Sequence, residues 1–223
     1  MFVYNHGLMT FTDSNRKLFE PNKAMTRGMT IISLYKMAGS PKVDNTENPF
    51  IDVKKDNELI DAVRWGISCG IIEGKKGERF GADITITREG FALSIYRYAS
   101  YMGLSFTPIR EYKDFTDSDS ISDYAKYAVE VLTRAGIMDG KAEGIFDPKG
   151  TITRAEAADI LRRFLQLIEK GEVTEDKSNP KRGLPSLGKG ISFGYISLFV
   201  IGIIIICLVL IIFIKRRRVS VIE

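Results

Sequence analysis

Three arginines that directly follow a threonine give this sequence its clearest chemical signal. They are Arg27, Arg88 and Arg154, and each opens an amphipathic stretch with helical spacing. A guanidinium offers a planar fork of N–H donors that pairs with both oxygens of a carboxylate, and a helix N-terminus adds positive potential beside it. The pattern therefore predicts an anionic partner for each arginine, either an external ligand or an acidic side chain of a neighbouring segment.

Groups suited to catalysis are scarce. His6 is the single histidine, and Cys69 has no histidine placed to activate it as a nucleophile. Asp117, Asp119 and Asp123 are spaced like calcium ligands, but the glycine and the closing glutamate of an EF-hand loop are absent. The sequence therefore predicts a protein that is not an enzyme and that needs neither a cofactor nor a metal ion.

Each threonine–arginine pair has the same place in a longer pattern that occurs three times. In chain order, the pattern is a glycine-aliphatic pair, a loop with a lone phenylalanine, the threonine–arginine pair and the amphipathic stretch. The threonines are 61 and 66 residues apart. The second and third copies open with Phe-x-Asp, at residues 50–52 and 115–117, which the first copy lacks. We interpret these segments as an internal repeat with a truncated first copy, and we expect the chain to begin inside a longer gene product.

Local signals predict how the helices of each copy begin and end. Gly7, Gly70 and Gly136 each follow a helical run, which is the usual position of a left-handed glycine cap. Thr153, with Glu156 three residues later, forms a capping box that the other two copies lack. Apolar residues at helical spacing are expected to be buried; these are Ile31, Leu34, Met37, Phe91, Ile95, Tyr98, Tyr124, Ala128, Val131, Leu132, Ala157, Ile160, Leu161, Phe164, Leu165 and Ile168.

The C-terminal part of the chain has a different composition. Residues 191–214 form a run of 24 without any charge, which is long enough to cross a bilayer as a helix, and four basic residues follow at once. We predict one transmembrane helix, with the basic tail 215–223 in the cytoplasm and the N-terminal part outside. Residues 1–190 hold 28 basic and 27 acidic groups, and this balance argues against nucleic acid as a partner.

Residues 171–190 join the two parts and are rich in Lys, Glu, Ser, Pro and Gly, so we interpret them as a flexible linker. Within this linker, Leu184-Pro185-Ser186-Leu187-Gly188 has the layout of a sortase sorting signal, followed as it is by an apolar run and a basic tail. Leu187 stands where that signal has threonine. A linker turn before a permanent membrane anchor is therefore the preferred interpretation, and a degenerate sorting signal is the alternative.

The three copies resemble S-layer homology modules, the surface-anchoring repeats of bacterial cell envelopes. The third copy carries the whole pattern from Phe115 to Phe164: Phe-x-Asp, an Ala-Val helix, Gly-Ile-x-x-Gly, Phe-x-Pro and Thr-Arg-Ala-Glu. The second copy matches with Ala82 in place of the proline. The resemblance divides residues 1–170 into a truncated first module at 1–45, a second at 46–110 and a third at 111–170. The linker 171–190, the transmembrane helix 191–214 and the tail 215–223 follow them.

The resemblance implies an all-α fold, a pseudo-threefold helical spindle around a central helical bundle with grooves between neighbouring modules. In the family, such grooves bind secondary cell-wall polysaccharide that often carries ketal-linked pyruvate. Carried onto this sequence, the implied glycan-binding residues are Arg27, Arg88, Arg154, Asp52, Asp117, Gly70, Gly74, Gly136 and Gly140. Trp65 is added to these candidate glycan-binding residues, because its aromatic ring can stack on a sugar. The alternative is that this ring on an amphipathic helix forms core or groove wall.

The function that follows is anchoring at the bacterial cell envelope, by non-covalent binding of a pyruvylated cell-wall glycan. We expect a single-pass protein of the cell surface, or a wall-linked protein if the segment at 184–188 is cleaved. The alternative is the anchoring fragment of a larger surface enzyme, such as a glycan hydrolase, encoded upstream of Met1.

Overall fold

The structure is a computed structural model that describes residues 2–10, 18–43, 47–54, 58–74, 77–170 and 173–175. All of them belong to the unit Met1–Pro185. The described residues do not include the segment at 184–188, the apolar run 191–214 or the basic tail. The sorting signal and the transmembrane helix therefore remain predictions from the sequence. Within the described ranges, none of the helices has the length and apolar character needed to cross a bilayer.

Helices dominate the described part of the chain, as the sequence predicts. They are α1 (Phe2–Asn5), α2 (Arg27–Met37), α3 (Glu58–Ser68), α4 (Arg88–Tyr101), α5 (Asp123–Arg134) and α6 (Arg154–Glu169), with a short 3-10 turn at Ser118–Ser120. Two short strands, β1 (Leu104–Phe106) and β2 (Val173–Glu175), pair in an antiparallel sheet. The fold class is therefore close to all-α with a small sheet.

The sheet was not expected, because β2 lies in the segment that the sequence assigns to the linker. Leu104 pairs with Glu175, Ser105 with Thr174, and Phe106 with Val173. Val173 and Thr174 are β-branched and favour extended backbone, although they stand among polar residues. Pairing with β1 therefore orders a part of the predicted linker.

A threonine begins the second helix of each copy, which is α2, α4 or α6. The side-chain oxygens of Thr26, Thr87 and Thr153 accept the backbone N–H three residues later, at distances of 3.2, 3.1 and 3.2 Å. Only α6 has a complete capping box, because the Glu156 carboxylate returns a bond to the Thr153 N–H. The threonine cap is thus present in all three copies, and the third alone adds the glutamate.

Glycines end the first helix of each copy in the left-handed conformation that the sequence predicts. The φ angles of Gly7, Gly70 and Gly136 are 68°, 70° and 68°. A second left-handed position was not predicted. It follows the loop phenylalanine in every copy, at Glu20, Gly81 and Asp147, with φ angles of 49°, 68° and 58°.

The predicted apolar stripes form the core, with a few differences at their edges. Most of these side chains are buried; they are Ile31, Leu34, Met37, Phe91, Ile95, Tyr98, Ala128, Leu132, Ala157, Ile160, Leu161 and Phe164. Val131, Leu165 and Ile168 are half-buried. The burial predicted for Tyr124 is wrong: it is 61% exposed, and its hydroxyl donates to Glu89.

The helices pair across copies. The first helix of each copy packs against the second helix of the copy before it: α3 against α2, α5 against α4, and α1 against α6. Isolated β-bridges follow the same order and join Thr26 to Thr85, Thr87 to Thr151, and Ala24 to Thr153. These contacts close a cycle from the first copy to the third and back. The spindle with a central bundle stays a prediction.

Two glycine substitutions separate backbone strain from crowding. Gly103 has φ of 66° with no atom within 4 Å of an added Cβ, whereas a Cβ on Gly140 would lie 2.6 Å from the main-chain carbonyl oxygen of Ile145 and 2.9 Å from that of Ala142. We expect Gly103→Ala to lower the free energy of unfolding by about 1 kcal/mol, since an L residue is strained in this region. Gly140→Ala should lose more than that, because the backbone must move to make room for the methyl group. Urea unfolding followed by circular dichroism measures both, and equal losses would contradict the crowding at Gly140.

Candidate functional site

Each arginine of the threonine–arginine pairs contacts the loop phenylalanine of the next copy. The guanidinium carbons of Arg27, Arg88 and Arg154 lie 5.0, 5.1 and 4.7 Å from the ring centroids of Phe80, Phe146 and Phe19. In each case the arginine Nε donates to the carbonyl of that phenylalanine, at 2.9, 2.8 and 2.8 Å. A main-chain carbonyl is therefore the shared partner, where the sequence suggested an acidic side chain or a ligand.

The opening aspartates hold the same phenylalanine peptide from the other side. Asp52 accepts the N–H groups of Phe80 and Gly81 at 2.7 and 2.9 Å. Asp117 accepts those of Phe146 and Asp147 at 2.9 and 2.8 Å. Partial burial pushes the pKa of Asp52 up, but these backbone bonds and nearby Arg79 outweigh burial and hold it below its ordinary value.

Two of the predicted site glycines allow close packing. A Cβ on Gly74 would overlap the ring of Phe50, and a Cβ on Gly140 would lie 2.6 Å from the carbonyl oxygen of Ile145. The phenylalanines that open the second and third copies, Phe50 and Phe115, therefore pack where the second glycine has no side chain. Gly70 and Gly136 serve instead as the left-handed helix ends.

Trp65 lies in the core with only 1% of its surface exposed. Its ring centroid is 5.7 Å from that of Tyr35, 6.1 Å from Tyr98 and 6.0 Å from Tyr101. The indole Nε1 has no hydrogen-bond partner among the described residues. Of its two interpretations, the structure places this side chain in the core.

The three arginines differ in what surrounds their terminal N–H groups. Arg88 is 3% exposed, its Nη2 donates to the Asp139 carbonyl at 2.9 Å, and its Nη1 lies 3.8 Å from the Glu156 Oε1. Arg154 is also 3% exposed, and its Nη2 donates to the Thr10 carbonyl at 2.6 Å. Its Nη1 lies 3.7 Å from the sulfur of Met29. Burial lowers the pKa of both guanidinium groups, and nearby acids partly offset this effect.

Arg27 is the exception. It is half-buried, and it uses its Nε for the Phe80 carbonyl as the other two arginines use theirs. Among the residues that the structure describes, no group accepts a hydrogen bond from its terminal nitrogens. Two N–H-bearing nitrogens of this guanidinium therefore remain open to a ligand.

A groove of about 510 Å³ lies beside Arg27. Its walls come from α2, α4 and the loop before α4, and Tyr124 of the third copy also lines it. A second cation, Arg97, lies in the wall and is held by the Glu73 carboxylate at 2.6 Å. The remaining lining alternates hydroxyl groups with apolar side chains; it includes Thr30, Ser94, Thr85, Ile84 and Ile72.

A smaller groove of about 350 Å³ separates α1 from α6. It is lined mainly by apolar and aromatic side chains, among them Phe2, Tyr4 and Phe19. Arg154 does not line it, and the cation that does, Arg162, is paired with Asp159. This groove therefore offers an acidic ligand less than the groove beside Arg27 does.

Glu89 joins two helices, a role that the sequence did not predict. Its carboxylate is 2% exposed and accepts hydrogen bonds from the Ser122 N–H and hydroxyl, from the Tyr124 hydroxyl and from the Lys149 ammonium. It thus ties the start of α4 to the start of α5. The signal in the sequence was an acid directly after the arginine, where the other copies have Gly28 and Ala155.

Comparison with known proteins agrees with the geometry of the third copy. Residues 114–158 match the family model of the S-layer homology domain. This segment is therefore similar to the S-layer homology domain, which is a binding and anchoring domain and not a catalytic one. The assignment of the first two copies to the same domain, and the transmembrane anchor, stay predictions.

Proteins with a similar sequence include surface proteins and enzymes. The chain is 31% identical over 155 residues to an "Amylopullulanase" of Thermoanaerobacterium thermosulfurigenes, covering 66% of this chain and 8% of that protein. It is 40% identical over 75 residues to a "Surface-layer 125 kDa protein" of Lysinibacillus sphaericus, covering 34% and 6%. It is 25% identical over 154 residues to a "Cellulosome-anchoring protein" of Acetivibrio thermocellus, covering 67% and 34%.

The matched part is thus a minor share of each of these relatives. Together with the domain match, they support a location at the cell surface and a role in anchoring there. The activities and ligands that their names imply belong to those proteins.

The burial of Arg88 and the openness of Arg27 predict different effects on stability. Arg88→Ala should lower the free energy of unfolding by about 3 kcal/mol, because two carbonyls lose their donor inside the protein. Arg27→Ala should lower it by about 1 kcal/mol, since one half-buried bond is lost. Thermal and urea unfolding of both variants measure the difference, and equal losses would contradict these assignments.

Glu89 predicts a pH dependence of stability. Burial pushes its pKa up, but the bonds from Lys149, Ser122 and Tyr124 outweigh burial and lower it from the ordinary value of 4.5. The stabilisation is therefore complete above pH 4.5 and is lost as pH falls through the lower pKa of the folded state. We expect Glu89→Gln to be less stable than wild type at pH 7, with a gap that narrows below pH 4.5 in urea titrations. A gap that is constant with pH would show that the charge is irrelevant.

Proposed function

We propose that this chain holds a bacterial protein at the cell surface by binding an acidic cell-wall polysaccharide, without a covalent bond, in the groove beside Arg27. The observation that carries the proposal is the open guanidinium fork of Arg27 in a groove of about 510 Å³. The domain match and the anchoring relative support the same role.

The groove suits a glycan that bears a carboxylate, such as a ketal-linked pyruvate. A carboxylate pairs with both terminal nitrogens of a guanidinium, and partial burial strengthens this pairing by excluding water. Hydroxyl groups of Thr30 and Ser94 lie in the same wall, where they are placed to exchange hydrogen bonds with a sugar. Ile84 and Tyr124, which are 62% and 61% exposed, add apolar surface for the faces of sugar rings.

The other predicted site residues act on the glycan indirectly in this proposal. Asp52 and Asp117 hold the loop phenylalanines, and Gly70, Gly74, Gly136 and Gly140 let the loops turn and pack. Arg88 and Arg154 join neighbouring copies, and Trp65 fills the core. We infer that these residues position the walls of the groove and do not touch the ligand.

The membrane attachment is proposed on sequence alone. The charge-free residues 191–214 form a transmembrane helix in this proposal, residues 1–190 lie outside the cell, and the tail 215–223 is cytoplasmic. Cleavage at residues 184–188 would instead give a wall-linked protein, and the mass of the mature protein distinguishes the two.

A second candidate is the anchoring part of a larger surface enzyme. It is favoured by relatives named "Amylopullulanase", "Exoglucanase XynX" and "Endoglucanase", of which the matched region is 8%, 13% and 17%. In this version, residues 1–170 have the same binding role and the catalytic part is encoded upstream. Reading the coding sequence upstream of Met1 in frame decides between them.

Binding to cell walls tests the proposal directly. The purified full chain, in a mild detergent, should co-sediment with cell-wall sacculi and should stay in the supernatant after the secondary polysaccharide has been removed. Arg27→Ala should weaken co-sedimentation at least about tenfold, because the carboxylate loses its charged partner.

Arg79→Ala is the matched control, since Arg79 is a 77% exposed arginine that does not line the groove. It should bind as wild type does. Equal binding of wild type to intact and stripped sacculi would refute a polysaccharide ligand, and equal loss in the two arginine variants would indicate unspecific attraction by charge.

A further inference from the structure

We propose that, of the three threonine–arginine pairs, only the one at Arg27 is free to bind an acidic ligand, and that one residue of the neighbouring helix decides this. The residue is the third one of the helix that starts at the threonine–arginine pair of the next copy. It is Gly90 for Arg27, Glu156 for Arg88 and Met29 for Arg154. The inference rests on the proposed function and names which groove performs it.

The equivalence of the three positions follows from the helix caps. Each is the residue whose N–H donates to the capping threonine: Met29 to Thr26, Gly90 to Thr87, and Glu156 to Thr153. Because the copies follow one another in a closed cycle of contacts, each of these positions is turned toward the arginine of the copy before it.

Two of the three side chains, those of Glu156 and Met29, contact a terminal nitrogen of the facing arginine. The Glu156 carboxylate lies 3.8 Å from the Nη1 of Arg88, and it also accepts from Lys141 at 2.8 Å. The Met29 sulfur lies 3.7 Å from the Nη1 of Arg154. The Nη2 of each arginine is bonded to a main-chain carbonyl, so both forks are engaged within the protein.

Gly90 leaves the corresponding place beside Arg27 empty. It lines the same groove as Arg27, and it carries no side chain that could meet the guanidinium. The missing side chain therefore has two effects: it creates room for a ligand, and it leaves the arginine charge without a carboxylate. The ligand's own carboxylate would take the position that Glu156 holds in the third copy.

The fold tolerates a side chain at this position. An added Cβ on Gly90 would lie 3.1 Å from the Thr87 hydroxyl oxygen and 3.3 Å from the Ile86 Cγ1, which small shifts relieve. Met29 and Glu156 already occupy the equivalent sites behind the same threonine cap. Glycine inside a helix also costs about 1 kcal/mol relative to alanine, so Gly90 is unfavourable for the helix itself.

The test is to place at position 90, beside Arg27, the same residue type that Glu156 places beside Arg88. Gly90→Glu should pair with Arg27 as Glu156 meets Arg88, and should complete a capping box on α4. The probe is a methyl glycoside that carries a 4,6-linked pyruvate ketal, titrated calorimetrically into the full chain. We expect one site per wild-type chain and a loss of affinity of at least about tenfold in Gly90→Glu.

Three controls separate charge from bulk and from folding. Gly90→Gln has the same size without the charge and should lose less affinity than Gly90→Glu. Glu156→Gln removes the carboxylate beside Arg88 and should bind as wild type does, because the Arg88 Nη2 stays bonded to the Asp139 carbonyl. Circular dichroism and thermal unfolding should show Gly90→Glu at least as stable as wild type, because it gains a helix cap.

The outcomes distinguish this inference from the proposed function. Two or three equal sites per chain, or wild-type affinity in Gly90→Glu, would overturn the assignment to Arg27 while leaving glycan binding intact. Equal losses in Gly90→Glu and Gly90→Gln would overturn the role of charge. If wild type binds the ketal glycoside no better than the same glycoside without its pyruvate, the proposed function itself fails, and this inference fails with it.

Discussion

The described structure depends on the main-chain N–H and carbonyl groups of the loop phenylalanines. Its carbonyl accepts the Nε of the arginine in the preceding copy, and in the second and third copies its N–H donates to the opening aspartate. Phe80 and Phe146 are buried, so no water replaces a lost partner and each missing bond is costly. Arginine and aspartate thus recur for a reason that exists without any ligand.

The same arginine can serve both structure and recognition because the structural contacts use only some of its five N–H donors. The Nε and the ring contact are used identically in all three copies, and they fix the position of the guanidinium. The terminal nitrogens are then either enclosed, as in Arg88 and Arg154, or presented in a groove, as in Arg27. Recognition is thereby built on a side chain that the fold has already immobilised.

The sequence predicts well what is decided within a few residues. The capping box at Thr153, the left-handed glycines and most of the buried stripes were predicted because each depends on neighbours along one helix. The partners of the arginines were missed because they lie 53, 58 and 135 residues away. The left-handed backbone at Glu20 and Asp147 was not predicted because neither residue is a glycine. Tyr124 fits the apolar spacing of its helix, but its hydroxyl donates to Glu89 outside the core.

The closed order of the helix contacts has a consequence for how the protein unfolds under mechanical force or proteolysis. In an open row of repeats the end copy has a single neighbour, so it can detach alone and expose the next one. Here α1 packs on α6, so every copy has two neighbours and none is at an end. Opening one copy breaks two interfaces at once, which couples local opening to loss of the whole assembly and leaves no terminal copy that frays first.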